Sequence, residues 1–426
     1  MQLGRRCVVT WAAAVLSVLA LLPAFAEPLA IPVQVELVAD QMAGGIHGWH
    51  SSRLLMYKGT LYASALLPGP PGTPPDKPFQ NPTCFFQRRP EGTWVALGNP
   101  VPFNLYTILI GPDGRFWAVG NYGYADCTVY RSRAPLDPST FEPLYTGTCA
   151  YLGASISPEG NFLIMHAESP DFTAFVPNAV IAAFYDHETN QWHTSRLVTP
   201  EGRYGYIGIV LKGRRALAVL NSALSDPKAN PDPPHYSWRH VRIAACDDLT
   251  RGDWRNTAWL MPEYGDTWLN DMILGPDGQV YLSYSYREGA TLEESRAKPM
   301  EHCIARLHPG ATAEIFKTGL TQLASTRIFV SSRGRWFLLA RSRGEPVLRL
   351  WELEPPPTLK PMREYTLPGT EVLQGYVIHT LRPERFGGQA DGDTVHLYSA
   401  SFHPRENDPA AQEHRFWHVY FRLPRR

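Results

Sequence analysis

The chain has 426 residues, and its 40 lysines plus arginines balance 40 aspartates plus glutamates, so the formal net charge is zero. The charges are interspersed and no long basic run occurs. That excludes a partner held mainly by charge, because nucleic acid and anionic membrane surfaces both require a basic footprint.

Taken from the N-terminus, Arg5 and Arg6 precede an apolar stretch from Cys7 to Phe25, and Ala24-Phe25-Ala26 gives a small-x-small pattern before Glu27. Residues 1–26 read as a secretory signal. The expected mature chain, 27–426, is then secreted or periplasmic, with no stable membrane insertion after cleavage. Five of the six cysteines follow the signal: Cys84, Cys127, Cys149, Cys246 and Cys303. Export permits disulfides, and Cys127 with Cys149 is the best pair on topology. An odd number leaves at least one thiol free or paired between chains, and burial as small apolar residues is the alternative for all five.

From there one pattern recurs: an apolar run, a Gly-centred turn, then a run rich in aromatics. The turn glycines are Gly59, Gly114, Gly160, Gly213, Gly278, Gly334 and Gly392, spaced 55, 46, 53, 65, 56 and 58 residues apart. Such periods suit a four-stranded blade and are too long for a solenoid turn. Seven units without a clear helical segment predict an all-β, seven-bladed propeller of four-stranded antiparallel blades, one domain over 27–426. Blade one runs from His47 to about Gly98, blade two to Thr146, blade three to Thr199, blade four to Pro262, blade five to about Gly319, blade six to about Gly369, and blade seven to the C-terminus. The segment Ile31 to Val38 reads as a strand that closes the ring by completing the last blade, which also hides a sheet edge.

The turns between strands one and two are tight and mostly lie on one face. Long connections follow strand two, at Leu67–Pro82, Leu224–Ser237, Glu288–Glu301 and His403–Glu413, and emerge on the opposite face. Long loops gathered at one end of a rigid scaffold commonly build a site.

A second series of turns, Glu91-Gly92-Thr93-Trp94, Thr189-Asn190-Gln191-Trp192 and Arg251-Gly252-Asp253-Trp254, resembles degenerate Asp-box (BNR) turns of sialidase-like propellers. The opening of blade one, His50-Ser51-Ser52-Arg53-Leu54-Leu55-Met56-Tyr57-Lys58-Gly59-Thr60-Leu61-Tyr62-Ala63, looks like the first blade of that superfamily. The resemblance covers the mature chain in layout and only short stretches in sequence. It departs where sialidases carry an arginine at the start of blade one; here the residues are His47-Gly48-Trp49-His50, and sialidase activity is not expected. The chain is similar in type to divergent propellers that act on polysaccharides, which include uronate-polysaccharide lyases and glycosidases.

Inner strands present their first residues to the channel on the long-loop face. Those positions, with the ends of the second strands, include His47, Trp49, His50, Tyr106, Asn121, His166, Arg203, Tyr206, Asn221, Trp268, Asn270, Asp271, Arg287, Arg327, Tyr376 and His379, of which Asn221 and Arg287 are not among the residues assigned a role. Aromatic rings cover the apolar faces of sugars, while amides, imidazoles and guanidinium groups bond hydroxyls and carboxylates. A lyase on a uronate needs a cation to neutralise the carboxylate, a base for the adjacent carbon-bound proton and an acid for the leaving oxygen. His50, His166, Tyr206 and Arg203 are the candidates for that chemistry, and the remaining residues with a role are candidates for substrate binding. A hydrolase would need two carboxylates, for which Asp126, Glu168, Asp266 and Asp271 are available. A non-catalytic glycan- or protein-binding propeller is the third reading. No metal-ligand motif or phosphate-cradling loop occurs, so no cofactor is expected; a structural calcium held by loop carboxylates stays open. The expected partner is a polysaccharide or oligosaccharide.

Overall fold

Turn chemistry sets the first hairpins. In Pro112-Asp113-Gly114 and Pro276-Asp277-Gly278, the aspartate Oδ1 accepts from the amide two residues on, at 3.0 Å for Arg115 and 3.1 Å for Gln279. Gly114 and Gly278 follow with φ of 79° and 76°, where a Cβ would be strained. In the computed structural model of the protein, residues 28–43, 48–68, 81–120, 126–148, 152–168, 178–200, 204–224, 237–308, 313–375, 377–405 and 408–425 are described.

These hairpins extend into seven sheets around one axis. Blades one to six each run their four strands consecutively outward, as in blade two: Leu105–Ile110, Phe116–Gly120, Asp126–Ser132 and Phe141–Thr148. Blade seven takes His379–Thr380, Thr394–Arg405 and Asp408–Arg422, and receives Gln34–Met42 as its outermost strand. The N-terminal strand therefore closes the ring, as expected. Leu29–Ala30 adds a short parallel strand outside blade six, Leu29 opposite Tyr365.

The core lies between blades. All six residues of Leu105–Ile110 are buried, which is why inner strands show little alternation in sequence. Between blades two and three, Trp117 stacks on Phe162 with ring centroids 4.7 Å apart. Cys84, Cys246 and Cys303 are free thiols, with burial pushing each one up. Cys149, half of the expected pair, lies outside the described residues, as do the signal and the sites His47, Asn121, Arg203 and Tyr376.

Three stretches differ from the sequence expectation. Glu288–Glu301 is not all loop: Leu292–Ala297 is a short helix, with Thr291 Oγ1 accepting from Glu294 N at 3.1 Å and Glu294 Oε2 accepting from Ala290 N at 2.8 Å. This reciprocal cap stabilises a helix too short to persist alone. His403–Glu413 is mostly strand, because Thr394–Arg405 and Asp408–Arg422 pair up to Arg405 and Asp408.

The third difference shapes the channel. Gly392 does not close a tight hairpin. The inner strand of blade seven is only His379–Thr380, and the chain then forms the one-turn helix Pro383–Phe386 before returning at Thr394. Phe386 and Gly387 bridge Ile156 and Ile110, and Gln389 N donates to Met56 O at 2.9 Å. Those partners end the inner strands beside the tight turns, so the segment plugs the channel on that face; on the other face, most of the connections Leu67–Pro82 and Leu224–Ser237 lies outside the described residues. At Gly387, φ is 73° and an added Cβ would lie 1.9 Å from Ile110 O. Gly387→Ala is expected to cost roughly 2–4 kcal/mol from strain and overpacking. Denaturant unfolding beside Gly392→Ala, whose Cβ would meet nothing within 4 Å, checks the difference.

Candidate active site in the central channel

At the long-loop end, four inner strands break register. The irregularities fall between Leu105 and Thr107, Gly205 and Gly208, Leu269 and Asp271, and Ala324 and Arg327. A bulge leaves its extra residue out of the ladder and re-aims its side chain. The displaced residues include Tyr106, Tyr206, Asn270 and Ser325. Tyr206 and Ser325 hold φ of 45° and 54°, a conformation non-glycine residues adopt only where the surroundings enforce it.

The bulges of blades four, five and six face a cavity of about 430 Å³. Tyr206, Asn221, Trp268, Asn270, Ser285 and Gln322 line it, with Trp49 and Val377 on the far side and Arg287, Arg327 and Arg343 among the wall residues. Trp268 is 39% exposed, whereas Trp49 is nearly buried. Among the described lining residues there are three guanidinium groups and no carboxylate. Arg287 is bonded to Asp266, with Nε 2.8 Å from Oδ2. Exposed Arg343 has no ion pair among the described residues. Buried Arg327 donates to the carbonyl of Ile378 at 2.6 Å and to those of Thr326 and Asn270; burial lowers it to about 10, still a cation at neutral pH.

His50 lies beside Tyr206. It is 1% exposed, its Nε2 is 2.6 Å from Tyr106 Oη, and its ring meets that of Tyr206 edge-on at 5.0 Å. Trp49, Tyr106, Tyr206, Trp268, Asn270, Arg327 and His50 are thus gathered in one region.

Three predicted residues sit elsewhere. His166 is where blades two and three meet, away from the cavity lining. Its Nδ1–H donates to Ala167 O at 3.0 Å, which leaves Nε2 to accept from the Tyr145 hydroxyl at 3.0 Å. Burial lowers the imidazole and raises Tyr145 to about 12, so both are neutral at pH 7. Asp271 follows the blade-five bulge and points into the core, where Oδ1 accepts from Met272 N and Arg382 Nε, each at 3.0 Å, and Oδ2 from Ile328 N at 3.0 Å. His379 is buried, donating Nδ1–H to Ser51 O at 3.0 Å; burial, then Arg327 and Arg53, hold it well below the ordinary value. Of the carboxylates weighed for hydrolysis, Asp266 and Glu168 are ion-paired, the latter with Arg196 Nε at 2.7 Å. Asp126 is exposed at the start of an outer strand.

Arg343 and Arg385 escaped the sequence reading. Arg385, 1% exposed on the plug, places its guanidinium 5.2 Å from the Trp49 ring centroid and donates to Trp49 O at 3.2 Å. It braces Trp49 from below. No spacing signal marks it, because it stands on a four-residue helix between strands.

No protein-family model and no curated protein matches the chain. Solved structures do resemble it. An ulvan lyase of polysaccharide lyase family PL25, bound to -[GlcA(1-4)Rha3S]-, aligns with a TM-score of 0.61 and 12% identity over 89% of this chain and 94% of that one. The polysaccharide lyase Uly1 aligns with a TM-score of 0.57 and 11% identity over 90% and 91%. At such identity the likeness is one of fold.

Proposed function

We propose that this propeller is a carbohydrate-active lyase that cleaves an acidic, uronate-containing polysaccharide in the central cavity. The observation that carries the reading is a cavity walled by aromatics and guanidinium groups, without a described carboxylate, beside the His50–Tyr106–Tyr206 cluster. The fold shared with two polysaccharide lyases supports the same class.

Elimination balances simply. A base removes the proton on C5 of the uronate, the electron pair forms the C4–C5 double bond, and the C4–O bond breaks. The leaving oxygen takes a proton. The developing charge spreads onto the carboxylate, so a cation there stabilises the transition state more than the ground state. Arg343 and Arg327 present such charge on the wall, and Arg203, outside the described residues, is the third candidate from the sequence. Tyr206, partly exposed on the wall, is the group placed to exchange a proton with substrate. His50 and Tyr106 are buried behind it and position it. Trp268, exposed on the wall, gives a sugar face a platform, and Trp49 closes the cavity beside it.

Binding separates this from a neutral-glycan receptor. Calorimetric titration with a uronate oligosaccharide and its carboxyl-reduced counterpart should show at least tenfold tighter binding of the acid, about 1.4 kcal/mol. Equal affinities would sink the assignment of the arginines.

A further inference from the structure

The ring closure holds a line of four titratable side chains that the proposed chemistry does not use. Asp391 Oδ2 lies 2.9 Å from His396 Nε2, His396 Nδ1 lies 2.9 Å from His418 Nε2, and His418 Nδ1 lies 2.9 Å from Glu36 Oε2. The two imidazoles are within 9° of parallel with centroids 5.2 Å apart. That separation is close to the N···N contact plus two ring radii, so the rings meet end to end.

Counting protons along the line gives the inference. Glu36 accepts from Arg88 Nε at 2.8 Å and Trp94 Nε1 at 3.1 Å. Although burial alone would raise it, Arg88, His418 and Trp94 lower it to about 2. Glu36 is therefore an ionised acceptor, and His418 Nδ1 carries a proton. An ionised Asp391 is likewise an acceptor only, so His396 Nε2 carries another. With one proton each, the rings would turn bare lone pairs toward each other at 2.9 Å. A third proton between them turns that repulsion into an N–H···N bond.

We propose that the Asp391–His396–His418–Glu36 line is a proton-binding clasp, whose two imidazoles share one extra proton when the ring is closed. Burial, ring by ring, pushes His396 and His418 toward neutrality, and Arg88 beside them acts the same way. The flanking carboxylates and the N···N contact act in the opposite direction, and the contact exists only with the proton in place. The other charged group near the line is Arg422; with Asp391, His396, Arg88 and Tyr420 it lines a recess of about 480 Å³. Side-chain exposure of Asp391 is 47%, so the proton can exchange with water there. Glu36 stands on the closing strand, Arg88 and Trp94 on blade one, and both histidines on blade seven, so the clasp ties the three pieces that make the ring continuous.

The sign follows from linkage. The folded state holds one proton more than the unfolded chain above the ordinary histidine value of 6.5. Below that value the two unfolded imidazoles hold four protons against three in the folded line, so stability from the clasp is greatest near it, falls on the acid side, and is lost on the other as pH rises through the folded-state value. While that difference lasts, the folding equilibrium constant changes about tenfold per pH unit.

Two measurements on the full protein test this. Proton–nitrogen NMR with isotope-labelled histidine should show His396 and His418 sharing three N–H protons at neutral pH, one of them far downfield; two singly protonated rings would overturn the proposal. Denaturant unfolding between about pH 7 and 9 should show wild type losing stability with rising pH more steeply than Asp391→Asn. The Asn amide can donate to His396 Nε2, so the line is satisfied without the extra proton. Parallel pH profiles of the two proteins would also overturn it, and the NMR reads wild type alone should the variant fail to fold.

Discussion

Tyr206→Phe is expected to lower the elimination rate by about 10²–10⁴-fold, the usual contribution of a positioned acid–base group, while leaving substrate affinity and folding close to wild type. The hydroxyl is the only atom removed. The ring keeps its edge-on contact with His50 at 5.0 Å, and the bulge with its φ of 45° is unaffected. A loss confined to turnover would place the hydroxyl at the transferred proton; a loss confined to affinity would make it a binding group. Tyr106→Phe provides the comparison. Its hydroxyl touches His50, 2.6 Å from Nε2, so its effect should be smaller and should shift the pH–rate profile. Steady-state kinetics of both variants against pH decides between these roles.

The largest stability effect should follow Asp271→Ala. Asp271 and Arg382 form a buried pair, 1% and 7% exposed, and Arg385 Nη1 lies 3.7 Å from the same carboxylate. Removing the acid strands these cations, with Arg327, in a low-dielectric channel, and breaking such a pair costs about 3–5 kcal/mol. The consequences should reach the site, because Arg385 supports Trp49 and Arg327 lines the cavity. The pH dependence has a definite sign. Burial alone would raise the carboxyl, but Arg382, Arg327 and Arg385 hold it below its ordinary value of 3.8. Its contribution is therefore complete above that value and is lost as pH falls through the folded-state value. Urea unfolding at neutral pH and in acid, for wild type and Asp271→Asn, checks both statements: the variant should be weaker at neutral pH and should show less acid dependence.

The same bulge explains why the blade plan was legible in the sequence and the site only in part. Turn glycines are legible because a tight hairpin needs a residue at positive φ, and Gly59, Gly114, Gly160, Gly213, Gly278 and Gly334 all have it there. Gly392 has the same φ sign but ends a longer excursion, and glycine alone does not report the length of what it ends. Facing is harder, since one extra residue in a strand reverses every side chain beyond it. Asn270 and Asp271 are neighbours in sequence, yet the bulge puts one on the cavity and the other among buried arginines. Tyr106 and Tyr206 reach the centre by the same device. His166 stands near the end of a second strand, where position alone does not distinguish the channel from the junction with the next blade. The channel arginines Arg382 and Arg385 could not be read as such, because the plug that carries them looks like a loop before the last hairpin.

The most direct test incubates the purified protein with a panel of uronate-containing polysaccharides and follows ultraviolet absorbance and reducing ends together. Elimination predicts that both rise in step, since each cleavage makes one unsaturated uronyl group and one reducing end. Reducing ends without absorbance would mean hydrolysis, and silence in both across the panel would contradict lyase activity.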